Sequence, residues 1–165
     1  MQYQNLFASL NSCINNYMAK NQFKRGELYS VINAMAATAI ARRMQKNFRN
    51  SGVEITTEQW SILYHLWKED GINQQQLCER TFRDKPSITR LIDNLVKLDL
   101  VARKSNKDDK RVNFIFLTTA GKALQDQTVE IANQTMDEAL INITKVEIET
   151  VKNVLQKVYD NLQNQ

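Results

Sequence analysis

Glycine, proline, cysteine and histidine are all scarce in this chain. One proline and four glycines among 165 residues leave few breakers, so long helices can run uninterrupted. Cys13 and Cys78 stand far apart, with no spacing that suggests zinc or a redox pair, and a reducing, intracellular setting is expected. His65 is the single histidine, and there is no glycine-rich phosphate loop and no Cys/His ligand spacing. Little is left for acid–base, phosphoryl or metal chemistry, so no enzyme, cofactor or metal is expected. No apolar run approaches the ~20 residues of a membrane span. The neutral, polar start MQYQNLFASLNSC is unlike a signal peptide. A soluble, cytoplasmic protein with no membrane partner is the expectation. The length suits one domain that buries roughly 70% of its unfolded surface and needs no disulfide for stability.

Charge is present but unevenly placed. Residues 80–122 carry 11 Lys and Arg against 5 Asp and Glu, whereas residues 123–165 carry 3 against 7. Residues 1–79 are close to balance, with 8 against 6. A polyanion is therefore the partner to expect for the middle of the chain. The acidic carboxy-terminal third reads as ordinary solvated helix surface.

Apolar spacing supplies the elements. Leu6, Leu10, Ile14, Tyr17 and Met18 predict a helix over about 5–24, and a longer one follows from about Glu27 to Asn50. Its basic far end, IARRMQKNFRN, suits the negative end of a helix dipole. Thr56 with Gln59 forms a capping box for a helix whose apolar side is Trp60, Leu63, Tyr64 and Trp67, ending at Asp70-Gly71. Asn73 caps a short helix that buries Leu77 and Cys78, and Arg80 to Arg83 form a turn. Asp84 and Pro86 open the next helix, which lasts to about Leu98. On its wheel Ile88, Leu91, Ile92 and Leu95 share one stripe, while Pro86, Arg90, Asp93 and Lys97 point away. Then LVARK and VNFIFL read as two strands joined by the polar turn SNKDDKR.

The resulting order is helix, turn, helix and basic hairpin. A polar, net-basic face on a rigid helix beside such a hairpin is how proteins approach a DNA groove and its phosphates. A winged helix used only as a protein scaffold predicts a neutral or apolar outward face instead. Thr118 is expected to cap a helix running to about Ile143, and Thr144 with Glu147 to open the last one. Along that last helix Ile148, Val151, Leu155, Val158 and Leu162 alternate steps of three and four. Such a seam buries itself within the monomer or across a two-fold axis. A homodimer suits a palindromic DNA site.

Four segments in this order and spacing resemble the MarR-type (multiple antibiotic resistance regulator) winged-helix transcription factors. They are ITTEQWSILYHL, PSITRLIDNLVKLDLVARK, the wing DDKR and LTTAGKAL. The family's Asp-x-Arg wing signature falls on Asp109 and Arg111, and the likeness covers about residues 28–165. The chain departs where Asp99 takes a position at which the family often has Gly, and where Cys78 replaces a small residue such as Ala. The resemblance implies a mainly α fold with a small β-hairpin wing (α+β). It implies a winged helix-turn-helix over residues 55–120, with dimerisation helices at 1–54 and 121–165.

By the same resemblance, Arg111 enters the minor groove while Asp109 holds the wing through charge-assisted hydrogen bonds. As a plain loop the two would be an ordinary exposed pair. Ser87, Thr89 and Arg90 are candidates for base or phosphate contacts, Arg90 through bidentate pairing with guanine. Lys85, Lys97, Lys107 and Lys110 are candidates for phosphates. The implied function is a ligand-responsive repressor that binds a pseudo-palindromic operator in double-stranded DNA as a homodimer.

Relatives release DNA when a small aromatic or anionic effector enters a cleft, which Arg43, Trp60, Tyr64, His65 and Trp67 are candidates to line. Aromatics at this spacing, and a lone histidine, also describe an ordinary core. A peroxide-sensing branch of the family uses a reactive amino-terminal cysteine. Cys13 has no basic neighbour before Lys20, and structural cysteine is the simpler reading.

Overall fold

The computed structural model describes residues 25–105 and 113–163. The helix expected over 5–24, Cys13, and the wing-loop residues Lys107, Asp109, Lys110 and Arg111 lie outside the described residues. The chain divides into two units, Met1–Ala41 and Arg42–Gln165. Helix α1 (Arg25–Asn50) begins in the first, where Thr38 returns its hydroxyl to the Ala34 carbonyl at 2.7 Å.

The second unit is built from capped helices around one short sheet. Helix α2 (Thr57–Lys68) opens with the expected box: Gln59 N–H donates to Thr56 Oγ1 at 3.1 Å and Thr56 N–H to Gln59 Oε1 at 2.7 Å. Each bond satisfies an orphan amide of the first turn. Strand β1 (Ile72–Asn73) and helix α3 (Gln74–Thr81) follow, then α4 (Lys85–Lys97), β2 (Val101–Ser105) and β3 (Asn113–Leu117). The strands form an antiparallel sheet in the order β1-β3-β2, with Ile72 opposite Ile115 and Arg103 also opposite Ile115 on the other side. Strand β1 was not expected, because two residues carry no legible alternation.

Buried residues of α2, α3, α4 and the sheet make one core around Ile62, Leu63, Leu66, Leu77, Ile88, Ile92, Leu95 and Ile115, all fully inaccessible. The inner face of α2 agrees with the expected one at Leu63 and differs elsewhere. Ile62, Leu63 and Leu66 fill the core, Trp60 and Trp67 are half-buried at its edge, and Tyr64 is 37% exposed. Bulky aromatics weighed more in the sequence pattern than the smaller aliphatics that interdigitate best in a dense interior.

The helix expected from Thr118 to Ile143 is two helices, α5 (Thr119–Ala123) and α6 (Gln125–Ala139). At the break Thr128 Oγ1 donates to the carbonyls of Leu124 at 2.9 Å and Gln125 at 3.1 Å. Such back-bonding competes for helix carbonyls and bends the helix. Asn142, at φ 63°, turns the chain out of the α region after α6. The last helix, α7 (Lys145–Gln163), opens with the expected Thr144–Glu147 box and has no buried residue.

The turn between α4 and β2 explains one departure from the family pattern. Asp99 sits at φ 54°, in the left-handed region that glycine occupies freely and aspartate tolerates. Its carbonyl accepts from the Thr118 hydroxyl at 2.6 Å, and the neighbouring Leu100 carbonyl accepts from Thr118 N–H at 3.1 Å. Because the turn is held from outside, Asp99→Gly should keep the fold and raise stability by about 0.5–1 kcal/mol. Urea unfolding measures this, and a loss of stability would mean that the Asp99 conformation carries no strain.

Candidate nucleic-acid interface

Helix α4 starts at a turn that its own sequence builds. Asp84 accepts from the Ser87 backbone N–H at 2.7 Å and from the Ser87 hydroxyl at 3.0 Å. These bonds hold the Asp84 carboxyl below the usual carboxylate range, since hydrogen bonds to the charged form favour it. Pro86 occupies the first turn, where its missing N–H costs nothing. With Ile88, Ile92 and Leu95 buried, the opposite side must face solvent. That side carries Lys85, Arg90, Asp93, Asn94 and Lys97 along an open groove of about 520 Å³.

A second groove of about 350 Å³ lies between the start of α3, helix α4 and the hairpin strands, bordered by Gln74, Gln75, Lys85, Thr89, Arg103 and Asn113. Arg103 of β2 reaches back to α4, its Nη2 donating to Asp93 Oδ1 at 2.7 Å. Sequence reasoning missed Gln74, Gln75, Arg103 and Asn113. The amide-rich start QQQ was a signal that went unread, whereas Arg103 and Asn113 owe their place to strand register.

The predicted reading residues divide in two. Lys85, Arg90 and Lys97 are exposed on the outward face. The hydroxyl protons of Ser87 and Thr89 are already donated, to Asp84 and to the Lys85 carbonyl at 2.8 Å. Thr89 Oγ1 also accepts from Gln74 Nε2 at 2.5 Å. In the hairpin, Lys104 lies with its Nζ 4.9 Å above the Phe116 ring.

The residues proposed for a cleft are only partly brought together. Trp60 stacks on Tyr64 with centroids 5.4 Å apart, Tyr64 meets the edge of His65 at 5.6 Å, and Lys68 Nζ lies 4.3 Å over the Tyr64 ring. The buried Trp60 indole N–H has no hydrogen-bond partner among the described residues. Trp67 is elsewhere engaged, donating to the Gly121 carbonyl at 2.9 Å. There the backbone is so close that a β-carbon on Gly121 would lie 2.0 Å from the Leu100 carbonyl oxygen. Arg43 pairs with Glu138 and holds that carboxyl below its usual range. Cys78 is buried, and burial pushes its thiol up, the opposite of a reactive cysteine.

A short helix, a turn and a second helix lying open beside an antiparallel hairpin define a winged helix-turn-helix. Comparison with known proteins agrees. The sequence profile of the MarR family matches residues 52–112. The multiple antibiotic resistance protein MarR of Escherichia coli K12 is 31% identical over 109 residues, covering 66% of this chain and 76% of its own. The HTH-type transcriptional regulator SarZ of Staphylococcus aureus MRSA252 is 30% identical over 112 residues, covering 66% of this chain and 74% of its own. A crystal structure of a mutant E. coli MarR complexed with operator DNA superposes with a TM-score of 0.72 at 28% identity, covering 78% of this chain and 91% of that one. The chain belongs to the MarR family.

His65 connects this region to pH. Burial first, and then the charges of Arg80 and Lys68, lower its pKa from the ordinary 6.5. The unfolded chain therefore takes up the proton before the folded one does. Stability from the neutral imidazole is present above about pH 6.5 and is lost as pH falls below it. Urea midpoints between pH 7.5 and 5 should fall less for His65→Gln than for the parent chain. Parallel curves would remove His65 as a contributor.

Proposed function

We propose that this chain is a sequence-specific DNA-binding transcriptional regulator, a ligand-responsive repressor that holds a pseudo-palindromic operator as a homodimer. The observation that carries the reading is helix α4, whose aliphatic stripe is buried and whose outward face presents Lys85, Arg90, Asn94 and Lys97 beside the hairpin. Residues 55–120 form the DNA-binding lobe, and helices in 1–54 and 121–165 pair the protomers. The exposed apolar side of α7, with Val151, Leu155, Val158 and Leu162, supports that pairing.

Arg90 is the reader of base edges, with Ser87 and Thr89 shaping the start of the helix that presents it. Lys85, Lys97, Lys107 and Lys110 take phosphates, and Arg111, held by Asp109, enters the minor groove. A small aromatic or anionic effector is the ligand we read for the cleft, of whose candidate side chains Trp60, Tyr64 and His65 lie together. We read the chain as a regulator rather than an enzyme, in line with the transcriptional regulators it resembles. Its place of work is the cytoplasm, where bacterial-type operators lie. No helix among the described residues is long and apolar enough to cross a membrane.

The purified protein should select a duplex of ~16–20 base pairs with half-site centres ~10 base pairs apart. Arg111→Ala should weaken binding to all sequences and lower the salt dependence by about one unit of slope. Unchanged affinity and slope would remove the wing from the interface. Arg90→Ala should relax preference at one base pair by ~1–3 kcal/mol, read by competition among single-site operator variants. Uniform weakening instead would make Arg90 a phosphate contact.

A further inference from the structure

We infer that the ion pair between Asp93 and Arg103 is a clamp that sets the wing hairpin against the DNA-facing helix, so that Arg103 is a positioning residue. The inference deepens the DNA-binding reading and rests on it for its main test. The partners belong to the two elements that must meet DNA together, Asp93 to α4 and Arg103 to β2. Their contact is short and charge-assisted, with Arg103 Nη2 2.7 Å from Asp93 Oδ1.

Strand β3 is held along its outer edge by β1, with Ile72 opposite Ile115 and Asn73 opposite Phe114, and the other hydrogen bonds of the described hairpin residues lie at its base or within it. Leu117 N–H donates to Asp70 Oδ1 at 2.8 Å and Thr118 N–H to the Leu100 carbonyl at 3.1 Å, both at the base. The Ser105 hydroxyl donates to Asn113 Oδ1 at 3.2 Å, inside the hairpin. Arg103 thus ties the strand to α4 at a point beyond the base, where a small change of angle is magnified towards the loop that follows Ser105.

The charges fit this role better than two others. As a stability device the pair is weak, since the side chains are 31% and 47% exposed and solvent screens such pairs. As a lone anion, Asp93 would oppose phosphate binding on a face otherwise carrying Lys85, Arg90 and Lys97. Bonded to Arg103, its charge is matched and its position is turned to geometric use. A free Arg103 would be a phosphate contact, whereas the bonded one has its guanidinium directed to Asp93.

These roles predict opposite signs for one substitution. Asp93→Asn removes a negative charge from the DNA-facing side, so repulsion alone predicts tighter binding. The clamp predicts binding weaker by about three- to fivefold. The measurement is titration of a duplex selected from a random-sequence pool by the parent chain, across a series of salt concentrations. Arg103→Ala should weaken binding to a similar extent with the salt slope unchanged. Asp93→Asn combined with Arg103→Ala should be no weaker than the weaker single variant.

Asp93→Asn binding as tightly as the parent or tighter, a slope lowered by about one unit in Arg103→Ala, or additive losses would each overturn the clamp. A second readout needs no DNA. Amide exchange across Val101–Ser105 should quicken by about threefold in Asp93→Asn while the global unfolding midpoint holds. Unchanged exchange would also sink the idea. If the parent chain selects no duplex at all, the DNA-binding reading fails, and exchange alone decides the clamp.

Discussion

Burial of Ile88, Ile92 and Leu95 is the constraint on which the rest of the interface depends. A helix of 13 residues that commits three aliphatic side chains to zero exposure has no rotational freedom left about its axis. Lys85, Arg90, Asn94 and Lys97 face outward because of where the aliphatics are, and not through contacts of their own. Replacing any of the three by alanine would cost a few kcal/mol and would loosen the direction of every outward side chain. The core and the outward polar face are two sides of one packing event.

Caps and turns then set where the helix begins and what it can touch. Asp84, Pro86 and Ser87 fix the first turn of α4, and Thr118 fixes the left-handed turn at Asp99 that feeds β2. The Gln74–Thr89 bond joins the two helices of the motif. Each is a local, directional interaction of modest strength. Together they fix where the helix starts and where the chain turns into the hairpin, and leave the last adjustment of hairpin against helix to the Asp93–Arg103 pair.

Much of this was legible in the sequence, and the legible part has a common cause. The capping boxes at Thr56 and Thr144, the Asp84 cap and the α4 stripe are all set within one or two turns of chain, so spacing reveals them. The two-residue strand β1, the break at Leu124 and the aliphatic inner face of α2 depended on competition between local preference and packing. Partners far apart in sequence were hidden altogether. Arg43 was proposed for a cleft and is bonded to Glu138, and Trp67 was grouped with Trp60 but serves the Gly121 carbonyl. Ser87 and Thr89 were candidates for base or phosphate contacts, and their hydroxyl protons go to Asp84 and to the Lys85 carbonyl. For Arg90 and Lys97 the pattern told which way they face, because the buried stripe of their own helix sets it.

Helix α7 has a consequence for how the protein is made. It has 19 residues, a capping box and no buried side chain, whereas most of a helix's stability in a protein comes from packing its apolar face. Val151, Leu155, Val158 and Leu162 stay exposed along it, and on the pairing proposed above a second copy covers them, so that ordering of this helix becomes a bimolecular event. Stability then rises with protomer concentration. At very low expression the chain would carry a frayed, apolar tail open to proteases, and its lifetime in the cell would itself report how much of it is present.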